Sequence, residues 1–248
     1  MEIIGGLIAG GFIGAVLGFI GAGGAMLSVP ILLYIFDFTP QTATTAALAV
    51  VLSAAISGLL PKIKSKEVLF REALIIWALG LTTNISFSIL AYRLSNSVLT
   101  TGLALVLIVA GTSMLIKPVA GTEKKVPLIW LILISLVIGM LTGLFGIGGG
   151  FLAIPILVLF FKVPQGKAAG TSLAIIAINS ITAFFAHYQS WDNVDWKIPL
   201  FMAVAAVVIA RIASIKSGQL NPVSLKKGFA VLLYSIAVFT LLQTWVIA

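Results

Sequence analysis

Cysteine is absent from this 248-residue chain, and histidine occurs once. The first absence excludes disulfides, thiolate nucleophiles and thiolate metal sites, and leaves the redox compartment undetermined. Charge is scarce as well: 9% of residues are Asp, Glu, Lys or Arg, against about a quarter in an ordinary soluble domain. The acids are Glu2, Asp37, Glu67, Glu72, Glu123, Asp192 and Asp195, all in loops or at the ends of apolar runs. A cation site or carboxylate proton relay at membrane depth would place an acid in mid-segment. Its absence argues against a cation pump and against acid–base or metal-assisted hydrolysis there. The lone His187 stands beside Asp192 and reads as an interfacial residue. There is no Walker motif for ATP.

What the chain has is apolar length. Hydrophobic residues make up 60% of it, and the mean hydropathy is +1.21. This is the composition of a polytopic, all-α membrane protein. The net charge of +8 fits basic loops held on the cytoplasmic side better than a nucleic-acid surface. Met1-Glu2-Ile3-Ile4 offers no basic stretch before the apolar run, so the N-terminus reads as a first membrane span and not a cleaved signal.

Two glycine-proline cassettes, G-A-G-G-A-M-L-S-V-P at Gly21–Pro30 and G-I-G-G-G-F-L-A-I-P at Gly146–Pro155, lie 125 positions apart. The same offset sets Gly14 on Gly139, Gly18 on Gly143 and Leu27 on Leu152; one further residue sets Val68 on Val194. The chain therefore divides into a first repeat (1–116), a polar linker (117–126) and a second repeat (127–248). Each repeat holds five apolar segments: Ile4–Ile20, Ala25–Phe36, Thr42–Leu60, Ala73–Tyr92 and Val98–Ile116, then Pro127–Phe145, Phe151–Phe161, Ala168–Ala186, Ile198–Ser214 and Val223–Ile247. The second segment of each has only 11 or 12 residues, roughly 17–18 Å of helix against a hydrocarbon core of about 30 Å.

Charge decides whether those short segments count as crossings. With five crossings per repeat, 13 of the 15 Lys and Arg fall on one face, and only Arg93 and Lys197 on the other. With four, the split is 8 against 7. The bias favours five, and an odd repeat must be inverted, with the termini outside and the linker cytoplasmic.

Small residues recur every fourth position at Gly6, Gly10, Gly14 and Gly18, and again at Ser135, Gly139 and Gly143. That spacing lets helix backbones approach closely and reads as packing seams. The cassettes say more. A dinucleotide fingerprint needs a preceding strand, which these apolar surroundings do not provide, and a plain hairpin would not need so short a following helix. A helix beginning partway through the bilayer directs free backbone N–H groups into the protein, where they suit an anion. The candidate donors are Gly23, Gly24 and Ala25 in the first repeat and Gly148, Gly149 and Gly150 in the second. Thr45, Thr171 and Ser172 open the segments that follow and could add hydroxyls, although such hydroxyls more often bond back to their own helix. Arg211 lies inside the ninth segment; it either snorkels to the interface or pairs with a substrate anion.

These cassettes, with G-T-S-L-A at Gly170–Ala174 and V-D-W-K at Val194–Lys197, resemble the sulfite exporter TauE/SafE family. Its members are bacterial and archaeal membrane transporters associated with sulfite, sulfonates and related organosulfur anions. The resemblance spans nearly the whole chain. It departs where Thr45-Ala46-Ala47-Leu48 replaces G-T-S-L in the first repeat, and the family is commonly described with seven or eight crossings.

The resulting expectation is a secondary transporter, exporting a small sulfur-containing anion across a prokaryotic inner membrane by alternating access. It needs no cofactor, metal or nucleic acid. Its partners are the anion, the lipid bilayer and, if it forms a homo-oligomer, further copies of itself. An anion channel of the same architecture and a membrane-embedded enzyme remain the alternatives.

Overall fold

A computed structural model describes residues 2–91, 94–115, 127–145, 150–160, 162–243 and 245. Among them every regular element is helical: α1 (Glu2–Ile20), α2 (Gly24–Tyr34), α3 (Pro40–Lys64), α4 (Phe70–Ala91), α5 (Asn96–Leu115), α6 (Leu128–Phe145), α7 (Gly150–Phe160), α8 (Gln165–Ala186), α9 (Lys197–Ser217) and α10 (Pro222–Leu242). A 3₁₀ turn, Tyr188–Asn193, joins α8 to α9. Five helices are long and apolar enough to cross a membrane: α1, α3, α8, α9 and the Val223–Leu242 stretch of α10. α2 and α7 have 11 residues each.

The helices form two compact units, one of residues 1–70 and 166–219, the other of 71–165 and 220–248. Each unit takes helices from both sides of the 117–126 linker. In the first, α1 and α3 pack on α9, and α2 packs on α3 and α1. Its core is built from Ile13, Leu17, Leu32, Val50, Leu173 and Met202, among others. In the second, α5 pairs with α10, and α7 rests on α5 and α6.

Glycine makes the first unit's main seam. A Cβ on Gly14 would lie 2.5 Å from the Ala206 carbonyl oxygen, and one on Gly18 would lie 2.6 Å from the Ala213 Cβ. Gly10 meets the Met202 backbone in the same way. Ridges of period four on α1 thus lie directly on Met202, Ala206 and Ala210 of α9. The opposite stripe of α9, with Leu200, Val204 and Val208, is exposed, as a lipid-facing surface should be. The second unit has the equivalent seam. Gly139 of α6 lies against the Gly80 carbonyl of α4, and Thr83 Oγ1 donates to the Leu136 carbonyl at 2.9 Å. Offsets of 125 and 126 positions carry Gly14 onto Gly139 and Gly80 onto Ala206, so equivalent pairs of positions build both seams.

Two further stretches of the chain match in local backbone. α2 contains Pro30 and α7 contains Pro155. After α2, Asp37 takes φ 55° and the Phe38 N–H bonds the Leu32 carbonyl at 3.0 Å. After α7, Lys162 takes φ 55° and the Val163 N–H bonds the Leu157 carbonyl at 3.0 Å. In both, an N–H closes on the carbonyl six residues back across a left-handed residue, a place usually given to glycine. The residues differ, but the geometry repeats.

α3 and α8 run antiparallel. Thr45 near the start of α3 meets His187 just past the end of α8, with Oγ1 3.2 Å from Nδ1. Thr171 near the start of α8 meets Leu69 just past the end of α3, accepting its N–H at 3.0 Å.

Candidate functional site

The break between α1 and α2 uses two left-handed glycines. The Gly21 N–H closes the last turn of α1 on the Leu17 carbonyl at 2.8 Å, with Gly21 at φ 82° and Gly23 at φ 91°. Gly24, by contrast, is the first helical residue of α2. Its missing side chain serves packing, because a Cβ there would lie 2.5 Å from Leu17 Cγ. Gly23 and Gly24 are both buried. The first intrahelical bond across this start is Leu27 N–H to the Gly23 carbonyl at 3.3 Å, and no side chain caps α2. The N–H groups of Gly24, Ala25 and Met26 therefore precede any intrahelical acceptor. A buried helix start without a side-chain cap is unusual in a finished fold, and it carries the positive end of the helix dipole.

This break lies against α8: a Cβ on Gly21 would sit 2.6 Å from Ala169 Cα. Gly21 thus sets the entry to the break on the second turn of α8. Thr45 is not near that turn. Its partner His187 is 16 residues beyond Thr171, about 24 Å along helical chain. Gly148 and Gly149 lie outside the described residues. Gly150 opens α7 in the other unit and is buried.

The hydroxyls have other work here. Thr171 is fully buried; it donates to the Lys167 carbonyl at 2.7 Å and accepts from the Leu69 N–H. Its one proton is thus committed to its own helix, and in this conformation it offers no donor to an anion. Thr45 likewise donates to the Gln41 carbonyl at 2.9 Å, which leaves His187 as the donor in their contact. Ser172 is fully buried. Arg211 is exposed, on the α9 stripe that also carries Val204, Val208 and Ile215. Among the described residues no group of His, Asp and Glu is arranged to hold a metal.

One residue near the break was not singled out by sequence: Lys62, in the last turn of α3. It is buried and paired with Glu67 at 2.8 Å. By pattern it was one more basic residue at a segment end.

The sequence profile of the sulfite exporter TauE/SafE family matches residues 6–240. The chain belongs to the TauE/SafE family. Similar proteins agree along its length. A probable membrane transporter protein of Xylella fastidiosa (strain 9a5c) is 26% identical over 247 residues, covering 96% of this chain and 94% of the relative. The probable membrane transporter protein YunE of Bacillus subtilis (strain 168) is 30% identical over 229 residues, covering 81% and 82%. MJ0441 of Methanocaldococcus jannaschii, also a probable membrane transporter protein, is 35% identical over 115 residues, or 44% of this chain and 43% of its own. This TauE/SafE protein is a multi-pass membrane transporter and not an enzyme. Its helices supply the spans, and the broken α2 supplies a buried, polar backbone terminus among them.

Proposed function

We propose that this transporter exports small sulfur-containing anions, such as sulfite or organosulfonates, by alternating access between two inverted repeats. The observation that carries the reading is the buried start of α2, which no side chain caps. Backbone N–H groups of Gly24 and Ala25, opened by the left-handed turn at Gly23, hold the anion. The matching cassette at Gly148–Gly150 contributes a second set of donors from the other repeat. Three features support inversion: the antiparallel run of α3 and α8, the repeated terminations of α2 and α7, and the exchange of equivalent seam helices. Half-helices whose positive ends meet an anionic substrate are a recurring device of inverted-repeat transporters. The charge bias puts both termini outside a prokaryotic inner membrane, with residues 117–126 cytoplasmic.

Purified protein in liposomes tests this directly. Preloaded sulfite should accelerate entry of labelled sulfite with saturation, and Gly23→Ala should abolish that counterflow while the protein remains folded. Flux that rises linearly without counterflow would identify an anion channel. Arg211→Gln separates two roles in the same assay. Unchanged affinity assigns Arg211 to the interface, whereas a loss of about 10- to 150-fold, partly recovered in Arg211→Lys, would bring it to the anion.

A further inference from the structure

Lys62 is the buried cation among the described residues, and its side chain is 4% exposed, whereas its partner Glu67 is 32% exposed. The asymmetry has a consequence. If the pair separates, Glu67 can turn to water, but Lys62 stays where its charge needs another anion. The pair is held by a tight return of chain after α3. Lys66 takes φ 56°, and the Glu67 N–H bonds the Lys62 carbonyl at 2.8 Å.

Glu67 does more than neutralise Lys62. Its carboxylate rests on the first turn of α8, where a Cβ on Gly166 would lie 2.6 Å from Oε1 and 3.3 Å from Oε2. Its backbone carbonyl fills the space over Gly170. The residue before Gly166 is Gln165, which opens the 22-residue α8. Gln165 is 9% exposed, and neither Nε2 nor Oε1 of its amide has a hydrogen-bond partner. A buried side-chain amide normally finds partners. The Glu67 carboxylate thus lies between a buried ammonium and the first turn of a long helix, and the residue that opens that helix carries an unsatisfied amide. The anion resting there is the chain's own carboxylate.

We propose that Lys62 and the first turn of α8 form a second anion site of the transporter, filled here by Glu67, and that a small oxyanion substrate displaces the Glu67 carboxylate from Lys62. The proposal rests on the anion-transport reading above. Displacement would exchange one oxyanion for another on Lys62 and free the α3–α4 connection from Gly166, coupling substrate arrival to release of that connection.

The test is calorimetric titration of sulfite, methanesulfonate and acetate into full-length purified protein and its variants. Glu67→Gln removes the internal competitor and should tighten binding about tenfold or more, while Lys62→Gln should weaken it by a similar factor. Lys62→Arg should keep part of the affinity. If Lys62→Gln does not fold, Glu67→Gln and Lys62→Arg, which conserve shape or charge, decide the matter. Folded Glu67→Gln with wild-type or weaker affinity overturns the proposal. So do variants that alter thermal unfolding alone, since Lys62–Glu67 is then only a brace. Acetate binding to Glu67→Gln that depends on Lys62, without sulfite or methanesulfonate binding, would uphold the site and refute the sulfur-anion assignment. Sulfite binding lost in Gly23→Ala but indifferent to every Lys62 and Glu67 variant would uphold that assignment and refute this site.

Discussion

Adding one methyl group at Gly14 forces α1 and α9 apart. The new Cβ would stand 2.5 Å from the Ala206 carbonyl oxygen and 2.8 Å from its Cα, where carbon contacts settle at about 3.5–4.0 Å. Both obstacles are backbone, so no side chain can swing away, and the helices must separate by roughly 1 Å along the seam. A gap of that size forfeits about a quarter to a half of each dispersion contact it opens, and overpacking of this kind costs about 1–3 kcal/mol. Alanine also favours helix over glycine by about 1 kcal/mol, which would mask part of the loss. Gly11→Ala supplies the correction. It sits on the same helix and gains the same propensity, but its Cβ would meet only Ile209 Cγ1, at 3.8 Å. The difference between the two variants isolates the clash. At about 2–4 °C per kcal/mol for a chain near this size, Gly14→Ala should melt roughly 2–12 °C below Gly11→Ala in the same detergent. Equal melting temperatures, or a higher one for Gly14→Ala, would mean that the seam is not a close backbone contact.

Three further outcomes are expected. Thr171→Val should lower stability by about 1–3 kcal/mol, because it strands the half-buried Leu69 N–H; Thr171→Ser should restore most of that in the same melting assay. Gly23→Ala should cost about 1–2 kcal/mol of stability from its left-handed backbone, and it should remove sulfite binding measured by calorimetry; retained binding would reduce the α2 break to a hairpin. The absence of native cysteine makes topology directly readable. An impermeant external thiol reagent should label Asn193→Cys and spare Glu123→Cys, and equal labelling would refute the proposed orientation.

The helix boundaries were legible because apolar runs end at strong punctuation. Pro40, Pro127, Pro164 and Pro222 precede or open helices, and the Gly21–Gly24 break separates α1 from α2 within a residue of where the pattern put it. The regular spacing of Gly10, Gly14 and Gly18 announced a seam but could not name its partner, since any helix with small residues in lipid satisfies the same pattern. The left-handed turns after α2 and α7 were hidden because Asp37 and Lys162 occupy them. Glycine identity likewise pointed to the break but not to the division of labour within it: Gly21 and Gly23 take positive φ, while Gly24 makes room for Leu17. Polar residues were harder. Whether Thr45 and Thr171 keep their protons for a ligand depends on the carbonyl one turn back, which spacing does not reveal. Lys62 was unreadable as a site residue because burial comes from the return of the chain onto α8, an event of tertiary structure.

The seam between α1 and α9 also sets a timetable. Met202 follows its partner Gly10 by 192 residues, so at about 5–20 residues per second the first helix waits roughly 10 to 40 s for the second to be made. During that interval the glycine ridge of α1 faces lipid or a provisional neighbour, and the first unit cannot close. A nascent chain stalled before α9 would therefore carry a finished helix with an unfinished face, open to mispairing with any small-residue ridge in the same membrane.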